Sequence, residues 1–120
     1  MVTAVTSMGR SGLYDWLMQR VTAVILLAYF LLLGWVIVGG IDYVSWKALY
    51  SQTWMRVFSL LALLSLGIHA WVGLWAVFSD YLTERLMGTT GNVLRFIAQV
   101  VCAIIMFTYV VWGIQILWGL

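Results

Sequence analysis

The sequence predicts an all-α membrane protein with three transmembrane helices and a short N-terminal interfacial segment. Composition is the first reason. Hydrophobic residues make up 65% of the 120-residue chain, charged residues make up 8%, and there is no proline, so lipid solvates the chain better than water does. Length is the second. Three apolar runs, Val21 to Val38, Val57 to Phe78 and Phe96 to about Leu117, each reach ~27 to 33 Å at 1.5 Å per residue, enough to cross a hydrocarbon core. The third is where the charges fall. They punctuate the runs instead of clustering, so the net charge of +2 carries no basic footprint for nucleic acid. The chain is thus expected to form one membrane domain, residues 1–120, with no room for a soluble catalytic domain.

The polar arm Gly9-Arg10-Ser11-Gly12, followed by Tyr14, Asp15, Trp16 and Arg20, lacks the small-residue cleavage site of a signal peptide and is expected to be retained. Leu13 to Arg20 alternates apolar and polar groups as a short interfacial helix would, with Ser11 as its cap and Tyr14 and Trp16 at headgroup depth. Gly39-Gly40 ends the first span. Asp42 to Arg56 reads as the first loop, with Trp46, Tyr50 and Trp54 along the interface, and Ser79 to Asn92 as the second, with Gly88 and Gly91 as breakers.

Basic residues near the span ends set the orientation. Arg10, Arg20, Arg85 and Arg95 fall on the side of the amino terminus, against Lys47 and Arg56 on the other. The N-terminus and second loop are therefore expected in the cytoplasm, with the C-terminus on the opposite, periplasmic side.

His69 is the only histidine, and it lies near the middle of the second run. An ionisable ring at bilayer depth usually marks a functional site. At spacings of three and four, its helix face reads Ala62, Ser65, His69, Gly73, Ala76 and Asp80, a stripe of small side chains. Such a stripe lets another helix approach closely. It also lets a flat macrocycle lie against the backbone beside an imidazole that can bind iron. Haem ligation, an interhelical hydrogen bond and a proton relay all remain open on these residues. With one histidine, two-histidine ligation needs a partner chain. Met106 is a chemically possible second ligand, although methionine in an apolar helix is usually packing, as is the lone Cys102.

Asp80-Tyr81 follows the second run, and eleven residues at 100° each return Asp80 almost to the face of His69, ~17 Å along the axis. A phenol there can donate to a carbonyl oxygen, and a neighbouring carboxylate can orient it or pass protons from water, which together suit quinone reduction. The same pair also reads as an interfacial anchor tyrosine beside a solvated aspartate.

The order of these features resembles the small hydrophobic membrane-anchor subunits of bacterial succinate:ubiquinone oxidoreductase (succinate dehydrogenase), of the type that shares a haem b with a sister anchor. The residues that carry the resemblance are Gly9-Arg10-Ser11-Gly12 with Asp15, Arg20-Val21-Thr22-Ala23, and above all Leu61-Ala62-Leu63 through His69-Ala70-Trp71, Gly73, Trp75 and Asp80-Tyr81. The resemblance implies that His69 is an axial ligand of that haem b. It also implies that Tyr81 hydrogen-bonds a ubiquinone carbonyl, that Asp80 supports Tyr81, and that Arg20 lies near the haem propionates or the quinone pocket. The implied partners are the sister anchor, an iron-sulfur subunit and a flavoprotein that oxidises succinate, in a bacterial inner membrane. The chain would then contribute to the quinone-reduction site without performing the dehydrogenation. Tyr14 departs from relatives that carry histidine there. A haem-free fumarate reductase-type anchor and a small structural or proton-relay subunit are the alternatives.

Overall fold

The computed structural model describes residues 12–119, so the arm at Gly9-Arg10-Ser11 and the cap expected at Ser11 lie outside the described residues. Five helices follow one another: α1 (Gly12–Val38), α2 (Tyr43–Ser51), α3 (Thr53–Tyr81), α4 (Glu84–Met87) and α5 (Thr89–Trp118). Three of them, α1, α3 and α5, are long and apolar enough to cross a membrane, as the composition predicts.

The helices overrun the apolar runs at their ends. In α1 the interfacial stretch from Leu13 to Arg20 continues into the first span as one helix. With no proline to remove a donor, and with backbone groups near lipid best satisfied within a helix, nothing in the sequence breaks it. The two stretches read as loops are partly helical for the same reason. In the first, Asp42 caps α2, its Oδ1 accepting from the Ser45 amide at 2.9 Å. Hydrogen bonding to the Ser45 side chain, and then to its amide, holds the Asp42 carboxyl below its ordinary value. Extended backbone at Gln52 (ψ 135°) then turns the chain directly into α3.

In the second, α3 runs on through Asp80 and Tyr81, and α4 forms beyond them. Gly88, at φ 67°, breaks α4 from α5, a left-handed conformation that suits glycine. Gly91 does not act as a breaker. It is buried inside α5, where a Cβ would run into the Thr83 carbonyl, so its role is close approach.

The third helix is the centre of the bundle. Both α1 and α5 pack along α3, while α1 and α5 hardly meet. The α1–α3 seam is antiparallel: Gln19 lies against Gly73, Thr22 against His69, and Tyr29 against Ser59. The residues that α3 buries include Ser59, Ala62 and Ser65, small groups that let backbones approach where lipid supplies no hydrophobic drive. Across the α3–α5 seam, Gly113 sits so close to the Leu63 side chain that a Cβ would collide with it. At the α2 end, Tyr29 Oη lies 2.8 Å from both Tyr50 Oη and Ser59 Oγ, and the Arg56 Nε–H donates to the Tyr50 carbonyl at 3.1 Å. Burial and the bond to Tyr29 push the Tyr50 phenol well above its ordinary value.

Candidate functional site

His69 lies on the α1-facing side of α3, half-buried, one turn along from buried Ser65 and from Gly73. Its Nδ1 is 3.2 Å from the hydroxyl oxygen of Thr22. That hydroxyl also lies 2.7 Å from the Met18 carbonyl and 3.2 Å from the Gln19 carbonyl. A carbonyl only accepts, and the Met18 carbonyl is the shortest of the three contacts, so the hydroxyl proton placed there makes its oxygen an acceptor toward His69. In that arrangement the imidazole proton is on Nδ1 and the Nε2 lone pair is uncommitted, the tautomer that an Nε2-ligating histidine needs.

The periodicity of α1 does not single out Thr22, which reads there as one more small polar residue in an apolar stretch. Its importance comes from the antiparallel register of α1 on α3, and no single-helix pattern contains that register. Gln19 is a second such residue. Its Nε2 lies against the face of Gly73, where a Cβ would come within 3.3 Å, and its Oε1 is buried without a hydrogen-bond partner among the described residues. The glycine of the stripe is therefore occupied by a side chain of α1, whereas Ala76, further along, is exposed.

Arg20 is exposed and folds back on its own helix. Its guanidinium carbon is 4.4 Å from the centre of the Trp16 ring, and one nitrogen donates to the Trp16 carbonyl at 3.4 Å. It thus sits two residues before Thr22, at the same end of the bundle as Gln19, with its charge held against an aromatic face. Asp80 and Tyr81 occupy the last turn of α3, and both are exposed, Tyr81 at 67%. Asp80 follows the histidine's face and Tyr81 turns away from it, as the helical spacing predicts. The structure brings Thr22 and Gln19 to the His69 level of α3, and it keeps Asp80 and Tyr81 as a separate pair nearer the helix end.

Met106 belongs to the other seam. The two cavities it lines draw on Leu63, Leu64, Gly67, Ile68, Ala70 and Trp71 of α3, without His69, which leaves it as packing between α3 and α5. Cys102 is a half-buried free thiol. Among the described residues there is no group of three or more histidine, cysteine or acidic side chains that could hold a metal ion.

A family model described as succinate dehydrogenase/fumarate reductase transmembrane subunit matches residues 2–111. The chain is also 32% identical over 111 residues to the succinate dehydrogenase hydrophobic membrane anchor subunit of Coxiella burnetii (strain RSA 493 / Nine Mile phase I), a match covering 91% of this chain and 90% of that protein. The family match over residues 2–111, the relative that covers nine tenths of each chain, and three helices long and apolar enough to cross a membrane agree: the chain belongs to the succinate dehydrogenase/fumarate reductase transmembrane subunit family.

Proposed function

We propose that this chain is the membrane anchor of a succinate:ubiquinone oxidoreductase, that it shares a haem b with a sister anchor subunit, and that it helps form the ubiquinone-reduction site. The observation that supports the haem assignment is the 3.2 Å Thr22–His69 contact: with the hydroxyl proton on the Met18 carbonyl, the oxygen accepts from Nδ1–H, the tautomer that keeps Nε2 for a metal. What fits the group is the half-buried imidazole itself; the small residues Ala62, Ser65 and Gly73 on its face are covered by α1, so they serve helix packing and the macrocycle would lie beside that seam. A histidine of the sister anchor would supply the second ligand to the haem. Bound haem b would supply a one-electron redox centre in the membrane.

What this chain's own side chains do is hold and protonate. Thr22 fixes the ring orientation and tautomer of His69. Arg20, at the same end of the bundle, offers a cation toward haem propionates or the quinone pocket. Tyr81, exposed at the end of α3, donates a hydrogen bond to a ubiquinone carbonyl, and Asp80 beside it orients the phenol and relays protons from water. Ubiquinone reduction takes two electrons and two protons. The electrons come one at a time from an iron-sulfur subunit, which a flavoprotein loads by oxidising succinate. The excess of arginine at the Asp80 end supports a cytoplasmic position for that end in a bacterial inner membrane, the side on which those subunits dock.

The test is a reduced-minus-oxidised spectrum of the complex purified with its partners. We expect a b-type haem that His69→Leu abolishes. A complex that assembles with no haem in the wild type favours the second reading, a haem-free fumarate reductase-type anchor, which the family description also covers. Haem bands untouched by His69→Leu overturn the ligation.

A further inference from the structure

At spacings of four and three residues, the side of α1 that meets α3 runs Asp15, Gln19, Thr22, Leu26 and Tyr29. All are polar except Leu26. The facing wall of α3 runs the other way, through His69, Ser65, Ala62 and Ser59, so its apolar member, Ala62, falls near the level of Leu26. These two residues line one cavity together with Tyr29 and Ser59.

The seam therefore holds two polar groups with an apolar layer between them. Toward the Asp80 end lie Asp15, Gln19, Thr22, His69 and Ser65, with the Thr22 hydroxyl 3.2 Å from His69 Nδ1. Toward α2 lies the Tyr29 hydroxyl, 2.8 Å from those of both Tyr50 and Ser59. The gap is ~10 Å along α1, from Thr22 to Tyr29, and ~9 Å along α3, from Ser65 to Ser59, at 1.5 Å per residue. Protons pass between hydrogen-bonded atoms about 3 Å apart, so crossing this gap would take a file of roughly two or three waters. Each water needs about two to four polar partners. The side chains of Leu26 and Ala62 offer none, and Ala62 is 4% exposed, so the layer is closed as well as apolar.

We propose that Leu26 and Ala62 form a proton barrier within the α1–α3 seam, a dry layer that keeps the Thr22–His69 group from joining the Tyr29–Ser59–Tyr50 network through hydrogen bonds. Each polar group then exchanges protons only with its own face of the membrane. The barrier does not depend on the haem and quinone reading. On that reading, its consequence is that the protons used at Tyr81 are drawn from the Asp80 side alone.

Proton flux into liposomes carrying the whole complex tests the barrier, read with a trapped pH-sensitive dye, with potassium and valinomycin to balance charge and no succinate present. The wild-type complex should be as tight as lipid alone. Leu26→Asn, similar in size but able to hold water, should raise the flux about ten-fold, the rate equivalent of one hydrogen bond gained along the path. Ala62→Ser puts a hydroxyl on the facing wall and should leak in the same way. Leu26→Ile, still apolar, should stay tight. So should Leu66→Asn, which adds an amide to the wall of the same cavity on an exposed position outside the stripe. Flux through Leu26→Asn and Ala62→Ser no greater than through Leu26→Ile, in complexes that still oxidise succinate with an artificial acceptor, overturns the barrier. A wild-type complex that leaks above lipid alone also overturns it, as does an equal leak through Leu66→Asn, which would trace the flux to loosened packing.

Discussion

Replacing Thr22 with valine removes one oxygen and keeps the shape, because the two side chains are nearly isosteric and the site, 2% exposed, is already packed around a β-branched residue. The hydroxyl's bond to the α1 backbone disappears at little cost, since the Met18 carbonyl remains in its helix. The consequence falls on His69. Its Nδ1–H loses its acceptor at 3.2 Å and is left in a half-buried site, at a cost of about 1 to 3 kcal/mol. Either the ring turns to find another acceptor or the proton moves to Nε2, and both take away the nitrogen available to iron. Loss of such a supporting bond typically weakens metal affinity ~10- to 100-fold, or about 1.4 to 2.7 kcal/mol. The two magnitudes agree. Haem content per complex, measured by pyridine haemochrome after prolonged dialysis in detergent, should fall well below wild type for Thr22→Val and stay close to it for Thr22→Ser. The reduced absorption band of whatever haem remains should also shift. A Thr22→Val complex that holds its haem as tightly as wild type, with an unmoved band, would refute the tautomer argument. A His69→Leu complex that keeps its haem would refute ligation itself, so the two failures are distinguishable.

Tyr81→Phe should lower ubiquinone reduction by at least ten-fold while succinate oxidation with an artificial acceptor stays at the wild-type rate, because the phenol hydroxyl acts only on the quinone; matched loss of both activities would point to assembly instead. Gly91→Ala should destabilise the α4–α5 junction by about 1 to 3 kcal/mol, since the new methyl meets the Thr83 carbonyl and not a flexible side chain, and thermal unfolding in detergent reads this. Acidification should loosen α2. The folded-state pKa of Asp42 is lowered from 3.8 by its hydrogen bonds to Ser45, so the cap's contribution is complete above that value and is lost as pH falls through the lower, folded one. Amide exchange in Ser45 and its neighbours should then accelerate below about pH 4, the ordinary carboxylate range, and Asp42→Asn should remove that pH step.

Most of the architecture is legible in the sequence because a membrane constrains a chain strongly: twenty apolar residues in a row have few other solutions, and all three spans lie where the hydropathy puts them. What escapes is local. The stretches around Lys47 and Arg85 contain enough polar residues to read as loops, yet α2 needs only Asp42 as its cap and α4 only four residues after Thr83. Gly91 looks like Gly88 in the sequence. Only the backbone distinguishes a glycine needed for its positive φ from one needed for lack of a Cβ. Within the candidate site, His69 and the Asp80-Tyr81 pair stand out because polar groups in or beside an apolar run are conspicuous. Thr22 and Gln19 do not, since a helix's own periodicity gives the direction of a side chain and not the residue it meets.

The order in which the helices touch has one more consequence. Among the described residues α3 is the helix in substantial contact with both α1 and α5, so a disturbance of α5 reaches Thr22 chiefly by way of α3 itself. Two seams share α3 as their spine, the one where Thr22 meets His69 on one side and the one lined by Met106 on the other. Damage to the second, at Gly113 for instance, should leave the first able to assemble.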